Sequence, residues 1–282
     1  MECDAFMNPH DNRPATPISA ATSIWKNREL IVQMTRREVV GRYKGSTLGL
    51  LWSFLNPMLL LFVYTFVFSV VFKARWGTDI GETKTKFAII LFVGMIVHGL
   101  FAEVINRSPE LILGNANFVK KIIFPLEILP VITLASALFH AMVSTAVLLI
   151  FLLVINGHLS LTAMYIPLVI LPLVMLTLGL SWIFASLGVF IRDIGQITSI
   201  ITMVMMFLAP VFYPITALPE NIRPIIMANP LTFIIVQARD VLVWGRAPNW
   251  VGLATYALVS VVIASLGYFW FQKTRKGFAD VI

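Results

Sequence analysis

Apolar positions in this chain fall into long runs separated by short polar stretches, and the length of those runs sets the first expectation. Residues 48–72 carry no charged side chain, and the apolar series is interrupted by Gly49, Ser53, Asn56, Pro57, Thr65 and Ser69. A helix needs about 20 apolar residues to cross the hydrocarbon of a bilayer, so this run spans with tilt. Five more runs follow at residues 87–105, 128–155, 163–190, 196–213 and 251–271. The third should stop at Asn156-Gly157, a turn signal. The fourth contains Pro167 and Pro172, which predict a kink or a late helix start.

Two segments fit neither a span nor an ordinary loop. Residues 24–44 interleave Trp25, Leu30, Ile31, Met34, Val39 and Val40 with Arg28, Arg36, Arg37, Arg42 and Lys44. That mixture predicts an amphipathic helix lying in the headgroup layer, and a solvated basic tail accounts less well for the interleaving. Residues 214–250 hold apolar runs too short to cross, broken by Pro219, Pro224 and Pro230. A re-entrant hairpin is predicted, since broken backbone is tolerated at membrane depth only where protein or a water-filled cavity satisfies its polar groups.

The fold class expected is therefore all-α integral membrane: six transmembrane helices, an N-terminal amphipathic interfacial helix and a re-entrant segment between spans 5 and 6. Residues 1–23 read as a disordered cytoplasmic tail, 24–271 as the transmembrane domain and 272–282 as a second cytoplasmic tail.

Composition agrees. Hydrophobic residues make up 59% of the 282 and charged residues 12%, about half the charge of a soluble domain. The net charge of +7 would suggest nucleic acid only on a water-exposed fold with a basic face. Its distribution points instead to orientation: the loops and tails on one side of the six predicted spans hold 14 Lys and Arg, and those on the other hold 7. By the positive-inside rule both termini face the cytoplasm. Lys73, Arg75, Lys84 and Lys86 crowd the first external loop against that trend. The one cysteine, Cys3, excludes an intrachain disulfide. No cleaved signal is expected, because no apolar core follows the polar start.

Catalytic signatures are missing. The stretch 41–49, GRYKGSTLG, lacks the GxxxxGK[ST] order that cradles phosphates, so the chain is not expected to hydrolyse ATP. His10, His98, His140 and His158 lack metal-ligand spacing, and no nucleophile elbow occurs. Glu103 is the acid placed within a span, a costly position that is by default a functional hypothesis. The simpler expectation is that it pairs with Arg107 one turn on. His98 is expected to be a hydrogen-bonded packing residue.

Four stretches carry a resemblance: RYKGSTLGLLWSFLNPMLLLFVYTFVFSVVF (42–72), RSPELILGNANFVKKIIFPLEILP (107–130), FLAPVFYPITALPE (207–220) and NPLTFIIVQARDVLVWG (229–245). In order and spacing they resemble ABC-2 type permeases that export polysaccharides, the group with O-antigen, capsule and teichoic-acid exporters, over about residues 24–271. The likeness is nearest to O-antigen permeases. It implies a homodimer working with two copies of a separate ATPase subunit, which binds the ATP and Mg, and no cofactor on this chain. It implies a coupling helix docking that ATPase within residues 107–121, with Asn115, Asn117, Lys120 and Lys121 as contacts. Lys120 and Lys121 could equally meet anionic lipid headgroups. Arg36, Arg37, Arg42 and Lys44, just before span 1, would meet the diphosphate of a lipid-linked glycan at the cytoplasmic interface. Orientation by positive charge alone is the competing account of these four.

Aromatics cluster in span 1 and at the end of span 5. Most should contact lipid or anchor the interface. Phe54, Tyr64, Phe68, Phe207, Phe212 and Tyr213 are the candidates to line a sugar path, where flat rings stack on sugars without fixing one sequence. The function expected is export of lipid-linked polysaccharide across the bacterial inner membrane, with ATP hydrolysed on a partner. An ABC-2 permease for a small molecule or drug would share the architecture, and a membrane-embedded transferase would need an acid or histidine poised at the membrane surface.

Overall fold

The structure, a computed structural model, describes residues 16–67, 84–120 and 124–282, and every regular element among them is helical. Helices α1 (Pro17–Lys26) and α2 (Arg28–Gly41) precede α3 (Trp52–Tyr64), which is entered through a 3-10 turn at Gly49–Leu51. Then come α4 (Lys84–Arg107), the short α5 (Ala116–Lys120), α6 (Leu129–Asn156) and α7 (Ile166–Phe190). α8 (Ile194–Phe207), α9 (Arg223–Ala228), α10 (Pro230–Arg239), α11 (Trp250–Thr274) and α12 (Phe278–Val281) complete the chain.

Five segments are long and apolar enough to cross a membrane: Gly49–Val67, Lys86–Glu110, Leu126–Asn156, Leu161–Phe190 and Trp250–Val281. They coincide with five of the six predicted runs, although residues 68–72 of the first lie outside the described residues. The remaining run, 196–213, forms only the 14-residue α8. At 1.5 Å per residue α8 reaches about 21 Å, short of the roughly 30 Å of hydrocarbon. It stops where Pro210 follows, since the ring removes a donor and restricts the residue before it.

Local chemistry sets the helix ends. α1 opens on a capping box, with Ser19 N–H donating to Thr16 Oγ1 at 3.3 Å and Pro17 in the first turn. It begins inside the stretch expected to be a disordered tail, and the expected single basic helix is instead two, divided at Asn27. α6 ends on Gly157, whose φ of 73° suits a residue without Cβ. Pro167 sits in the first turn of α7, the late start expected from sequence. Asn229 and Asn249 cap α10 and α11 through their side-chain oxygens.

Packing divides into two cores. One fills the middle of the bundle, where Val97, Val104, Leu148, Leu173, Ile234 and Ala238 from α4, α6, α7 and α10 meet. The other lies at one end, where Trp182, Phe271 and Phe278 gather α7, α11 and α12. We call this the basal end, because α1, the segment after α4 and the C-terminus all meet there. α7 and α11 approach closely: a Cβ on Gly179 would lie 2.6 Å from Ala264 Cα, and one on Gly267 would run into the carbonyl of Gly179. Small residues at a helix crossing permit such contact.

A candidate coupling and transport site

The basal end of α4 is a charge cluster drawn from two parts of the sequence, 38–42 and 103–107. Arg42 Nη1 lies 2.7 Å from Glu103 Oε1, Arg107 Nη2 lies 2.6 Å from Glu38 Oε1, and Arg107 Nη1 lies 3.7 Å from Glu103 Oε1. The pair expected from sequence, Glu103 with Arg107, is present but is the longest of the three contacts. Glu103 meets Arg42 first, because the turn after α2 carries that residue to the end of α4. Burial and the neighbouring Glu103 carboxylate raise the Tyr43 phenol above its ordinary pKa, while Arg42 opposes the shift. Of the four basic residues predicted before span 1, Arg42 alone makes an ion pair among the described residues; Arg36, Arg37 and Lys44 are exposed.

The segment after Arg107 is anchored at its root and open at its tip. Ser108 Oγ donates to the Val104 carbonyl at 2.6 Å and lies 2.7 Å from Ser181 Oγ on α7. The backbone of Pro109 occupies the space where Gly188 lacks a Cβ. Asn115 donates through Nδ2 to the Leu111 carbonyl at 2.8 Å, so its amide closes the turn leading into α5. Asn117 is exposed on α5, Lys120 is the last residue of α5, and Lys121 lies outside the described residues. Phe118 stacks on Phe124 with ring centroids 4.4 Å apart, bringing the segment back to α6.

A second ionic contact ties the termini to the same end. Glu127, 1% exposed, receives Arg275 Nη1 at 3.2 Å and the Ser23 hydroxyl at 2.9 Å, while its backbone carbonyl accepts from Trp182 Nε1 at 3.0 Å. One buried residue therefore joins α1 and the turn after α11 through its carboxylate and α7 through its backbone carbonyl, just before α6. Sequence reading passed over Glu127 because it lies in a loop by composition, beside Pro125 and Pro130.

α8 packs on α4 through a polar seam. His98 is buried with Nε2 2.9 Å from the Thr202 carbonyl, and Thr202 Oγ1 donates to Asn106 Oδ1 at 3.0 Å. His98 is thus a hydrogen-bonded packing residue. Next to this seam a polar cavity of about 420 Å³ is lined by Asn106, Arg107, Asn115, Arg192, Gln196 and Ser199. Such a lining offers hydrogen-bond donors and acceptors of the kind that hydroxyl-rich ligands require.

Towards the far end of α8, the aromatics separate. Phe207 stacks on Phe212 with centroids 5.8 Å apart, and Tyr213 donates its hydroxyl to the Phe207 carbonyl at 2.7 Å. Phe54 is exposed on α3, Tyr64 lines a cavity between α3, α4 and α6, and Phe68 lies outside the described residues. The five described candidates therefore fall on separate elements: Phe54 and Tyr64 on α3, and Phe207, Phe212 and Tyr213 at and beyond the end of α8. A residue without any sequence signal controls this region: Arg239, 4% exposed, donates to the carbonyls of Ile90 (3.0 Å), Pro210 (2.6 Å) and Val211 (3.0 Å). It satisfies the backbone broken by Pro210 and ties α10 to α4. Asn229 Nδ2 donates to the Met205 carbonyl at 3.0 Å, holding the turn between α9 and α10 against α8.

Residues 29–243 match the ABC-2 type transporter family. A protein of Klebsiella pneumoniae named O-antigen export system permease protein RfbA is 29% identical over 255 residues, covering 90% of this chain and 95% of that one. Its Myxococcus xanthus namesake is 28% identical over 133 residues, which cover 47% of this chain and 48% of the relative. With several apolar helices long enough to cross a bilayer and this match over most of its length, the chain is a multi-pass membrane protein and belongs to the ABC-2 type transporter family.

Proposed function

We propose that this chain is the transmembrane subunit of an ABC exporter that moves a lipid-linked polysaccharide of the O-antigen kind from cytoplasm to periplasm. The observation that carries the reading is the near full-length likeness to a relative named as an O-antigen export permease. The subunit sits in the bacterial inner membrane with both termini cytoplasmic, pairs with a second copy of itself, and takes its energy from two copies of a separate ATPase.

A six-crossing topology is supported by parity. α1 and the C-terminal turn share Glu127 at the basal end, so the chain crosses an even number of times. Phe190, at the end of α7, touches Phe278 at that end, whereas Trp250, at the start of α11, touches Tyr165 before α7 at the other. The residues between them supply one net crossing, which α8 and the loop after it make. α9 and α10 then form the re-entrant pair, held at depth by Asn229 and Arg239, and α1 and α2 lie in the headgroup layer with Arg36, Arg37, Arg42 and Lys44 towards the lipid diphosphate.

Coupling follows from the rooted segment after Arg107. An ATPase closing on Asn115, Asn117, Lys120 and Lys121 would move α4 through Ser108 and α2 through the Arg107–Glu38 pair, and rock the two halves about a central path. Aromatic rings including Phe207, Phe212 and Tyr213 would give the sugar chain sequence-tolerant contact. The test is to delete the gene and measure surface glycan and its lipid-linked precursor. Loss of surface glycan with cytoplasmic accumulation of the precursor is expected. Normal surface glycan, with a defect in exporting a small molecule instead, would overturn the reading.

A further inference from the structure

A second cavity lies away from α8, the polar seam and the segment after Arg107. It has a volume of about 570 Å³ and sits between α3, α4, α6 and the turn after α2, within the range of small-molecule sites. Its lining changes character along the bundle. At the basal end are Arg42, Tyr43, Ser53, Asn56, Glu103 and His140; beyond them are Leu60, Tyr64, Phe92, Ile96 and Leu100. Leu60 is also 47% exposed on α3, so the cavity opens to the outside of the bundle. A polar head and an apolar body open along a spanning helix describe the imprint of an amphiphile.

The polar groups specify its headgroup. Both ion contacts of Glu103 fall on Oε1, leaving Oε2 without a partner among the described residues. Arg42 spends Nη1 on that contact and makes no other guanidinium hydrogen bond among the described residues. His140 Nε2 is buried out of reach of the cavity, while Tyr43 meets the His140 ring edge-on at 6.1 Å. The head of the cavity thus offers an unspent carboxylate oxygen and unspent guanidinium donors. A purely anionic headgroup would satisfy Arg42 but set a like charge against Glu103. A headgroup with both a phosphate and a primary ammonium satisfies both, because the ammonium donates to Glu103 while the phosphate accepts from Arg42.

We infer that this cavity binds a zwitterionic phospholipid of the phosphoethanolamine class, with one chain lying along Leu60, Phe92 and Ile96. The lipid completes the contact between span 1 and the helices behind it. This inference rests on the membrane character of the chain; it gives Arg42 to the resident lipid and leaves Arg36, Arg37 and Lys44 for the diphosphate of the exported one.

The test uses the full-length protein in nanodiscs and native mass spectrometry of the lipid retained after detergent transfer. Phosphatidylethanolamine should be retained in preference to phosphatidylglycerol, and to phosphatidylcholine, whose quaternary nitrogen has no proton to donate to Glu103. Glycerophosphoethanolamine, which has the headgroup and no chains, should not displace it. Glu103→Gln should weaken retention roughly tenfold, the loss of one charge-assisted contact. Because that change also disturbs Arg42 and Arg107, Ala141→Trp, which fills the cavity wall and leaves the ion pairs in place, should abolish retention while the protein stays folded. Equal retention of all three phospholipids, preference for an anionic lipid or a polyprenyl phosphate, or full retention in Ala141→Trp would each overturn the assignment.

Discussion

Arg275 Nη1 and Glu127 Oε2, 148 positions apart in the chain, lie 3.2 Å from each other at a site where the carboxylate is almost wholly buried. A buried charge left without its partner is costly, whereas its neutral isostere keeps the shape and the hydrogen bond from Ser23. Arg275→Ala should therefore destabilise the protein by about 3 kcal/mol or more, and Glu127→Gln by clearly less. Thermal unfolding of the two variants in one detergent measures the difference; a loss in Glu127→Gln as large as that in Arg275→Ala would overturn this account.

Of the three carbonyls that accept from Arg239, those of Pro210 and Val211 belong to backbone outside any helix, and that of Ile90 lies in α4. Arg239→Met keeps bulk and removes all three donors, so a stability loss of about 3 kcal/mol or more is expected, with export falling further than insertion. Arg239→Lys, a point charge with rotatable donors, should recover part of it. Membrane-inserted protein and surface glycan measured in one strain separate the two effects.

Close approach at Gly179 and Gly267 leaves no room for a side chain on either helix. Gly267→Val should cost about 3 kcal/mol or more through overpacking against backbone that cannot yield. Gly99, which has open space around its Cβ position, should accept Ala with little change. Expression level and melting temperature of the pair provide the comparison.

Orientation is testable with single cysteines after replacing Cys3. Asn117 is exposed on α5 at the basal end, and His158 is exposed in the turn between α6 and α7 at the other. A membrane-impermeant thiol reagent added to intact cells should label His158→Cys and spare Asn117→Cys. The reverse pattern would invert the topology.

Coupling makes a separate demand on the loop after Arg107. Lys120→Glu with Lys121→Glu should reduce capture of the ATPase at least tenfold, since a desolvated charged contact is worth about 1.5 to 3 kcal/mol. Lipid contact alone would leave ATPase capture unchanged. Pull-down of the ATPase alongside surface glycan decides between them.

Run length alone was enough to read the helices that cross: five apolar runs became five long helices, with Asn156-Gly157 and Pro167 marking ends where backbone chemistry requires them. The sixth was harder, because hydropathy continues through Pro210 to Tyr213 while the helix does not. Likewise, interleaved basic and apolar residues marked a helical segment but not its break at Asn27, where α1 ends and α2 begins. Glu103 could be singled out, yet its partner Arg42 lies 61 positions away and only folding brings them together. Arg239 and Glu127 were invisible for the same reason. Each satisfies groups from distant segments, and nothing in its own neighbourhood predicts that.

The crossing of α7 and α11 has a consequence for how the protein can move. Two backbones in van der Waals contact at Gly179, Ala264 and Gly267 cannot slide or rotate past each other without collision, so this pair behaves as a keel. Whatever strain a partner delivers at the basal end must be absorbed elsewhere, in α3 and α8, whose outer faces carry exposed apolar side chains from Leu50 to Phe66 and from Ile197 to Phe207. Backbone amides of α7 and α11 should then exchange with solvent deuterium slowly in every state of the transport cycle. Those of α3 and α8 should change their protection as the cycle turns.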